Sequence, residues 1–285
     1  MPKQEGKVYV IGEIGINHNG SLELAKDLIR ACRDAGCDAV KFQKRDVDLV
    51  YTKDELAAAR DHPFGKTNGD LKRHLEFDKD QFDVIDQYCA DMGVDWFASP
   101  WDLHSAEFLY QYNPPYMKIA SACLTNKELL HYCAHHSVPL IISTGMADLP
   151  LIHKAVDQVI LEGGHIACIM HCTSTYPAKK EELNLFGIKT LQAEFPAIPI
   201  GYSGHEAIVP TTIMAMALGA DFIERHVTTD RTMFGSDQAA SLEPEGIRRV
   251  CSAARAWEVA RGDGNIRIYN SEVPVAKKLR RVNTL

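Results

Sequence analysis

Short apolar runs recur along the chain, with enough residues between successive runs for a helix. Eight of these runs are rich in Val, Ile, Phe or Tyr and are apolar on both faces, which is typical of parallel strands buried on both sides. The predicted strands are Val8–Ile14, Ala39–Gln43, Asp95–Ser99, Tyr116–Ala120, Leu140–Ser143, Ile166–Cys172, Ile200–Tyr202 and Phe222–His226.

Amphipathic stretches fill the intervals between these strands. The stretch Leu22–Ala35 places Leu24, Leu28, Ile29 and Cys32 on one side, as expected for a helix that covers a sheet. The other predicted helices are Asp80–Met92, Ser105–Tyr112, Lys127–His136, Leu149–Glu162, Leu185–Phe195, Pro210–Leu218 and Glu245–Arg261. Strict alternation of strands and helices predicts an α/β protein folded as a single (β/α)₈ TIM barrel with its helices outside.

A doubly wound open sheet is the alternative architecture. It requires a glycine-rich first turn, and the sequence GEIG at 12–15 does not follow the G-x-G-x-x-G pattern. We therefore expect one catalytic domain over residues 1–285, with the barrel at about 8–261 and a C-terminal extension at 262–285. The longest segment without a periodic pattern runs from about 45 to 78, and we expect a long loop there on the catalytic face.

Composition narrows the class of protein. The 285 residues are 46% hydrophobic and carry a formal net charge of −7, which makes a nucleic-acid partner improbable. No run approaches the roughly 18 consecutive apolar residues of a transmembrane helix, and the first residues lack the apolar core of a signal peptide. We expect a cytoplasmic protein whose eight cysteines are reduced core thiols. The basic stretch at 277–281 predicts a solvated terminal helix.

Polar residues follow the ends of the predicted strands, where TIM barrels place their active sites. These residues are Glu13, Lys41, Gln43, Ser99, Lys118, Ser121, Ser143, His171, Ser174, Tyr176, Ser203, His205, Glu224, Arg225 and His226. Two lysines, several hydroxyls and an arginine in one cavity suit a phosphate and a carboxylate. Two histidines from neighbouring strands suit a divalent metal, and one carboxylate suits proton transfer.

Each of these residues also has a purely structural interpretation. Lys41 and Lys118 lie within the apolar sequences VKF and MKI, so each is either paired or functional, and we favour function. His205 or His226 taken alone is as consistent with a packed core histidine as with a metal ligand. Together, on adjacent strands and each beside an acidic residue, they favour a metal site.

Several motifs in series resemble the sialic acid synthase family. They are IGEIGINHNG at 11–20, VKFQ at 40–43, KIAS at 118–121, STGM at 143–146, HCTSTYP at 171–177, GYSGH at 201–205 and ERH at 224–226. The resemblance runs from about Val8 to Arg261. It implies a TIM-barrel enzyme that condenses phosphoenolpyruvate with a small sugar aldehyde. The products would be a sialic-acid-like 3-deoxy-2-ulosonic acid and phosphate, released by C–O cleavage.

The resemblance also assigns roles to individual residues. It implies Glu13 as the catalytic carboxylate, and His205 and His226 as ligands of a divalent metal that activates the aldehyde. The metal would be Mn²⁺, with Mg²⁺ or Co²⁺ as alternatives. The residues implied for phosphoenolpyruvate are Lys41, Ser99, Lys118, Ser121, Ser143, Ser174 and Ser203. The positions implied for the sugar are Gln43, Tyr176, Asp237 and Cys123. We expect a homo-oligomer with no nucleic-acid or membrane partner.

Two features depart from the usual pattern of that family. After Ser121 the pattern continues Gly-Glu, whereas this sequence continues Ala122-Cys123. Because a thiol cannot accept the hydrogen bonds that a carboxylate accepts, we expect N-acetylmannosamine to be a poor acceptor. Typical members also carry a C-terminal antifreeze-like domain that lends an arginine to the partner's site. We expect this chain to lack it and to use the 45–78 segment, the basic tail or another chain instead.

Three other functions remain open from the sequence. The first is a synthase of another 3-deoxy sugar acid, acting on a shorter or phosphorylated aldose. The second is a barrel aldolase or lyase that uses Lys41 or Lys118 as a Schiff base. The third is a non-catalytic sugar-phosphate-binding protein, which the presence of Glu13, both lysines and both histidines disfavours.

Overall fold

Eight parallel strands form the wall of a barrel in the computed structural model, which describes residues 6–281. In chain order the strands are β1 (Tyr9–Gly15), β2 (Ala39–Lys44), β3 (Ala59–His62), β4 (Gly65–Thr67), β5 (Asp95–Pro100), β6 (Met117–Ile119), β7 (Leu140–Ser143), β8 (Ile166–Cys172), β9 (Ile200–Gly204) and β10 (Phe222–His226). The antiparallel pair β3–β4 is a separate hairpin, and the other strands form the barrel. All the predicted strands are present.

Helices cover the outside of the barrel between successive strands. They are α1 (Leu22–Ala35), α2 (Val47–Val50), α3 (Lys53–Ala57), α4 (Asn68–His74), α5 (Lys79–Met92), α6 (Leu103–Tyr110), α7 (Lys127–Ala134), α8 (Leu149–Leu161), α9 (Gly187–Glu194), α10 (Pro210–Ala217), α11 (Pro244–Ala260) and α12 (Val273–Leu279). The predicted helices correspond to α1 and to α5 through α11. Gly36 and Gly93 end α1 and α5 in the left-handed conformation, with φ of 95° and 65°, and so turn the chain towards the next strand.

The first and last strands of the barrel close the ring. β1 pairs in parallel with β10, in register from Tyr9 opposite Phe222 to Glu13 opposite His226. The hydrogen-bonded order is β5-β2-β1-β10-β9-β8-β7-β6. Within the described residues, β5 and β6 lie side by side without a ladder, and we refer to this place as the seam. The TIM-barrel prediction is confirmed, and the open-sheet alternative is wrong.

Alternate residues of each barrel strand point into the barrel. Near the amino ends of the strands, four of them form an aromatic plug with ring centroids 5.4 to 5.9 Å apart: Tyr9, Phe97, Tyr116 and Phe222. Further along the inward faces of the same strands stand Glu13, Ser99, Lys118 and Glu224. The alternation of side chains along each strand therefore places polar residues on the same inward faces as the aromatic plug, nearer the carboxyl ends of the strands.

The segment from 45 to 78, which we name the insertion, is not the long loop expected from the sequence. It contains α2, α3, the β3–β4 hairpin and α4. Capping boxes stabilise its helices: Thr52 pairs with Glu55 at the start of α3, and Thr67 pairs with Asp70 at the start of α4. Elements this short carry too few apolar positions for a period to be recognised.

The insertion packs against loops at the carboxyl ends of the strands, as expected. His74 Nε2 lies 3.0 Å from the carbonyl oxygen of Asn19, which follows β1. The Phe64 ring meets the ring of Phe234, which follows β10, with centroids 5.8 Å apart. The insertion therefore borders the face on which TIM barrels carry their active sites.

Other sequence expectations concern the ends of the chain and its cysteines. All eight cysteines are free and buried, as predicted. Within residues 6–281 none of the helices is both long and apolar enough to cross a membrane. Residues 262–281 are almost all exposed, and α12 carries Lys277 and Lys278 of the basic stretch. Residues 1–5 and 282–285, which include the expected start and part of the extension, lie outside the described residues. The single-domain organisation and the homo-oligomer stay predictions.

Candidate active site

A cavity of about 230 Å³ opens at the carboxyl ends of the barrel strands. Its lining residues are Glu13, Lys41, Gln43, Ser99, Trp101, Lys118, Ala120, Ser121, Ala122, Ser143, Met146, Ser174, Tyr176, Ser203, His205, Glu224 and His226. The structure thus brings the predicted site residues together, with the exception of Cys123, His171, Arg225 and Asp237.

Two lysines and two glutamates alternate within the cavity. Lys41 Nζ lies 2.8 Å from Glu13 Oε2 and 3.6 Å from Glu224 Oε1. Lys118 Nζ lies 3.0 Å from Glu224 Oε2. None of the four side chains is more than 4% exposed, so solvent and salt screen their interactions only weakly. We refer to these four residues as the charged row.

Glu13 is the member of the charged row that can change protonation near neutral pH. Burial raises the pKa of Glu13 to about 7, against the opposing effect of the Lys41 ammonium, and the Glu224 carboxylate adds to the rise. Gln43 Nε2 donates to Glu13 Oε1 at 3.0 Å. Gly15, at a φ of 54°, makes room for this contact, because a Cβ there would lie 2.9 Å from Glu13 Oε1. A carboxyl group with such a pKa can both give and take a proton.

Glu224 is a cavity residue that the sequence-based assignment of roles missed. Although burial opposes its ionisation, Lys118 and Lys41 lower the pKa of Glu224 to about 2. Ser203 Oγ also donates to its carboxylate at 3.3 Å. A signal was present in the sequence, because Glu224 lies two residues before His226 and residues two apart in a strand share a face.

Lys41 and Lys118 fit both interpretations that the sequence allowed, a structural ion pair and a functional group in the cavity. Each is paired with a carboxylate, and each also lines the cavity. Although burial favours the neutral amine, Glu13 and Glu224 raise the pKa of Lys41. Lys41 Nζ also donates to Ser99 Oγ at 3.2 Å. Lys41 therefore stays a cation, which suits it to bind an anion.

Arg45, the first residue of the insertion, sets the orientation of the Gln43 amide. Arg45 Nη2 donates to Gln43 Oε1 at 2.6 Å. Because a guanidinium only donates, the amide nitrogen of Gln43 is the atom that faces Glu13. Glu76 holds Arg45 by an ion pair of 2.7 Å, and the guanidinium stacks on the Trp101 ring at 4.6 Å. A chain of contacts therefore links the insertion to Glu13.

Serine hydroxyls supply uncharged donors in the cavity. Ser143 Oγ and Ser174 Oγ are buried without a hydrogen-bond partner in the described structure. A Cβ on Gly145 would lie 2.0 Å from Ser174 Oγ and 2.8 Å from Ser121 Oγ, so a glycine is required where these hydroxyls converge. Because unsatisfied buried hydroxyls are costly, the arrangement suits a ligand that accepts hydrogen bonds from them.

His205 and His226 face each other, with ring centroids 5.4 Å apart. His205 Nδ1 lies 2.7 Å from the Thr173 carbonyl oxygen, which leaves the lone pair on Nε2. His226 Nδ1 is buried without a hydrogen-bond partner and lies 3.7 Å from Asp237 Oδ2. Burial lowers the pKa of both, to about 3 for His205. Two buried, neutral imidazoles that face each other fit a divalent metal.

The remaining wall of the cavity is uncharged. Tyr176 is 43% exposed, and its hydroxyl lies 3.2 Å from His205 Nε2. The other uncharged and at least partly exposed lining residues are Gln43, Trp101, Ala120, Ser121, Ala122, Met146 and Ser174. This wall is suited to a neutral ligand with both apolar and hydrogen-bonding groups.

Cys123 lies outside the cavity, in contrast to its predicted contact with the sugar. Its Sγ is buried in the core and faces the Pro100 carbonyl oxygen at 3.8 Å. The expectation that N-acetylmannosamine is a poor acceptor rested on a thiol in place of a sugar-binding carboxylate. That expectation loses its basis, because the side chain at this position points away from the cavity.

Arg225 also points away from the cavity, although the sequence placed it among the anion-binding groups. It is fully buried, pairs with Glu206 at 3.3 Å and donates to the Ile208 carbonyl oxygen at 2.9 Å. Strand alternation explains the correction, because Arg225 lies between the inward-facing Glu224 and His226.

Comparisons with known proteins found relatives that cover most of the chain. The chain matches the NeuB family over residues 28–266. It is 38% identical to the human N-acetylneuraminate-9-phosphate synthase, over 95% of this chain and 76% of that protein. It is 34% identical to the N,N'-diacetyllegionaminic acid synthase of Legionella pneumophila, over 97% of this chain and 80% of that protein. The crystal structure of the N-acetylneuraminic acid synthetase from Leptospira borgpetersenii superposes with a TM-score of 0.83 at 29% identity, covering 97% of this chain and 93% of that one.

Proposed function

Because the chain belongs to the NeuB family of sialic-acid-type synthases, we propose that its cavity condenses phosphoenolpyruvate with an uncharged N-acylated hexose of the N-acetylmannosamine type. The products are a sialic-acid-like 3-deoxy-2-ulosonic acid and inorganic phosphate. The observation that carries this proposal is the buried charged row, which joins two lysine cations to a carboxyl group that titrates near neutral pH.

The charged row attracts an anion most strongly when Glu13 is protonated. Lys41 and Lys118 then contribute two positive charges against one negative charge on Glu224, so the row has a net charge of +1. The lysines bind the phosphate and carboxylate of phosphoenolpyruvate through charge-assisted hydrogen bonds. The unpaired Ser143 hydroxyl and the Ser121 and Ser174 hydroxyls, which converge at Gly145, donate to the same oxygens.

Glu13 acts first as an acid and then as a base. The bound anion disfavours the Glu13 carboxylate and keeps it protonated. As C3 of phosphoenolpyruvate attacks the aldehyde carbon, Glu13 gives its proton to the aldehyde oxygen. The resulting carboxylate takes a proton from the water that attacks C2. The C2–O bond to phosphate then breaks, the departing phosphate takes the proton of the C2 hydroxyl, and C2 becomes the ketone of the product.

His205 and His226 would hold the divalent metal, for which Mn²⁺ is the candidate. When bound, such an ion polarises the aldehyde as a Lewis acid. The surroundings of both histidines favour this role. Burial keeps the imidazoles neutral, and the Thr173 carbonyl oxygen orients His205 so that Nε2 carries the lone pair. Asp237, whose Oδ2 lies 3.7 Å from His226 Nδ1, would support His226, and its contact with the sugar stays a prediction.

The uncharged wall supports a neutral acceptor. Trp101 and Met146 offer apolar contact to an acyl group, and Gln43 and Tyr176 offer hydrogen bonds to an amide or to hydroxyls. The lysines that line the cavity are both already paired with carboxylates. A second phosphate, on the sugar, therefore has no unpaired lysine or arginine among the lining residues.

A phosphorylated N-acylhexosamine is the second candidate acceptor. The human relative is named for a product phosphorylated at C9. Phosphoenolpyruvate supplies three carbons ahead of the aldehyde carbon, so C9 of such a product is C6 of the hexose. The identity with that relative favours this candidate, whereas the uncharged wall favours the neutral sugar.

Release of phosphate from phosphoenolpyruvate tests the proposal. The acceptors are N-acetylmannosamine, its 6-phosphate and mannose, each assayed with chelator-treated protein before and after Mn²⁺ is added. We expect the highest kcat/KM with N-acetylmannosamine, and turnover only with the metal. A preference for the 6-phosphate would establish the second candidate. Absence of turnover with every aldose would overturn the proposed function.

Variants of the two histidines test the metal assignment. Replacing His205 or His226 with Ala should abolish turnover and leave the circular dichroism spectrum unchanged. Full activity of both variants with Mn²⁺ would remove the metal from these residues. Borohydride treatment with substrate tests the aldolase alternative. We expect no covalent adduct, because Lys41 is held as an ammonium and is not a nucleophile.

A further inference from the structure

A second group of metal-ligating side chains lies outside the cavity. His131, His135 and Glu162 each offer one ligand atom, and these atoms lie within 4.8 Å of one another. Within residues 6–281 this is the one group of three or more such residues with that spacing. We propose that these three side chains bind a zinc ion that joins the end of α7 to the end of α8. The proposal does not depend on the proposed function.

The group lies where two neighbouring helices end together. Gln158 Nε2 of α8 donates to the Lys127 carbonyl oxygen of α7 at 2.9 Å. Four residues further along each helix, His131 Nδ1 faces Glu162 Oε2 at 3.2 Å. The helices are therefore parallel. Barrel helices run from the carboxyl ends of the strands back to the amino ends, so the group lies on the face opposite the cavity.

The two histidines have the spacing that a metal requires, and His135 also has the tautomer. His131 and His135 are four residues apart at the end of α7, which places them on one side of the helix. His135 Nδ1 lies 2.8 Å from the His131 carbonyl oxygen. As a donor to that oxygen, the ring keeps its Nε2 lone pair for a ligand. A hydrogen bond from the second ring nitrogen to a carbonyl is a usual feature of metal-bound histidine.

The carboxylate contributes an unsatisfied buried atom. Glu162 Oε2 makes no hydrogen bond, although it is buried and only 3.2 Å from His131 Nδ1. The other oxygen accepts from Gln158 Nε2 at 3.3 Å. Glu162 is thus held in place by one oxygen while the other faces the histidines. A bound cation therefore stabilises this unsatisfied oxygen more than it would stabilise the oxygen of a carboxylate that water already solvates.

Zinc is the ion that this donor set suits. Two imidazole nitrogens and one carboxylate oxygen form a known zinc ligand set, with the fourth position left for water. Zinc–ligand bonds of about 2.0–2.2 Å require the ligand atoms to approach one another to roughly 3.4 Å. His131 and His135 are exposed and free to make that small movement. The partial negative charge at the ends of α7 and α8 also favours a cation.

Equilibrium dialysis against Zn²⁺ alone tests this site. The variant His131→Ala/His135→Ala should bind one zinc ion fewer per chain than the unmodified protein. Glu162→Gln, which preserves the shape of the side chain, should weaken the same site at least tenfold. Zinc should raise the Tm of the unmodified protein more than that of either variant.

His153→Ala is the matched control. His153 and Glu194 form a similar surface pair at 3.0 Å, without a third ligand, so this variant should keep the full zinc content. All the variants should retain normal Mn²⁺-supported turnover, because none of these residues lines the cavity. Equal zinc stoichiometry and affinity in the unmodified protein and in the His131/His135 and Glu162 variants would overturn the proposal.

Discussion

At the scale of single residues, the protonation of Glu13 connects substrate binding to chemistry. Its carboxyl group is buried beside a lysine, a second carboxylate and an amide donor, and burial outweighs the two groups that favour ionisation. Glu224, only one lysine away, is ionised throughout because two ammonium groups face it. The two carboxylates thus have distinct tasks: Glu224 holds the lysines, and Glu13 moves protons.

Replacing Glu13 with Gln separates these effects. Glutamine has the shape of the protonated acid but cannot transfer a proton, so kcat should fall about 10²- to 10⁴-fold. The KM for phosphoenolpyruvate should not rise, since no negative charge is added. In the unmodified enzyme this KM should increase above pH 7, because the ionised carboxylate repels the anion, whereas in the variant it should stay flat. Steady-state phosphate release on both sides of pH 7 measures both quantities.

The exposed Glu245→Gln on α11 is the control for Glu13→Gln and should behave like the unmodified enzyme. An unchanged kcat in Glu13→Gln would remove Glu13 from the proton transfers. A KM for phosphoenolpyruvate that is independent of pH in the unmodified enzyme would contradict the link between protonation and binding.

Lys118 and Glu224 provide a double-variant test of the charged row. Lys118→Met alone should raise the KM for phosphoenolpyruvate roughly 10- to 100-fold, equivalent to the 1.5–3 kcal/mol of a hydrogen bond to a charged group. It should also lower the free energy of unfolding by about 3–5 kcal/mol, because Glu224 loses its closest partner. Adding Glu224→Gln should restore much of the stability but not the KM.

Urea unfolding and steady-state kinetics on the Lys118 and Glu224 single and double variants measure the two effects. Recovery of both stability and KM in the double variant would show that Lys118 serves only the ion pair. A normal KM in Lys118→Met would withdraw its assignment to phosphoenolpyruvate.

At the scale of elements, the insertion acts on the cavity through its first residue. β2 delivers Lys41 and Gln43 to the cavity and continues directly into Arg45, which is clamped by Glu76 and stacked on Trp101. The remainder of the insertion rests on the loops after β1 and β10. The insertion, which shows no periodic pattern in the sequence, therefore determines which atom of the Gln43 amide faces the Glu13 carboxyl group.

Arg45→Met should remove the contact that fixes the orientation of the Gln43 amide. Without the guanidinium the Gln43 amide can rotate, so we expect kcat/KM for the aldose to fall roughly tenfold, which corresponds to about 1.4 kcal/mol. The KM for phosphoenolpyruvate should change less. Arg73→Met, in the same insertion, breaks only an exposed ion pair with Asp48 and is the control. Equal kinetics for the two variants would contradict the positioning role of Arg45.

At the scale of the whole molecule, hydrogen-bond ladders join all neighbouring barrel strands of the described residues except β5 and β6, which meet at the seam. Among residues 6–281, β6 has three residues and a ladder only with β7, while β7 has ladders with both β6 and β8. Strand amides with fewer ladder partners open more readily than those in the middle of a sheet. We therefore expect the seam to open more readily than the rest of the barrel wall.

Hydrogen exchange measured by mass spectrometry tests this difference. Peptides that cover β6 should exchange before those that cover β7, which is a similarly short strand with neighbours on both sides. Peptides from β1, which pairs with β2 and β10, should be among the last to exchange. Protection of β6 equal to that of β7 would show that the seam is as stable as the rest of the barrel.

The amino-acid sequence by itself determined the barrel and most of its cavity. Apolar runs and helical periods indicate which residues are buried. Buried positions recur with the period of a strand or of a helix, and both periods can be recognised directly in the sequence. Glu13, Lys41, Lys118, His205 and His226 were predicted because each interrupts, ends or closely follows an apolar strand. The same period of two would have placed Glu224 inside the barrel and Arg225 outside, had it been applied to each residue of β10.

Only the tertiary structure decided how these residues are paired. The ion pair of Lys118 with Glu224 joins residues 106 positions apart. Such pairing depends on the register of strands and on the closure of the ring, which no local pattern reveals. For the same reason the sequence placed Cys123 beside the sugar although it faces the core, and left the insertion as a loop although capping fixes its helices. The sequence therefore specifies which side chains are buried, and the fold specifies what each buried polar group meets.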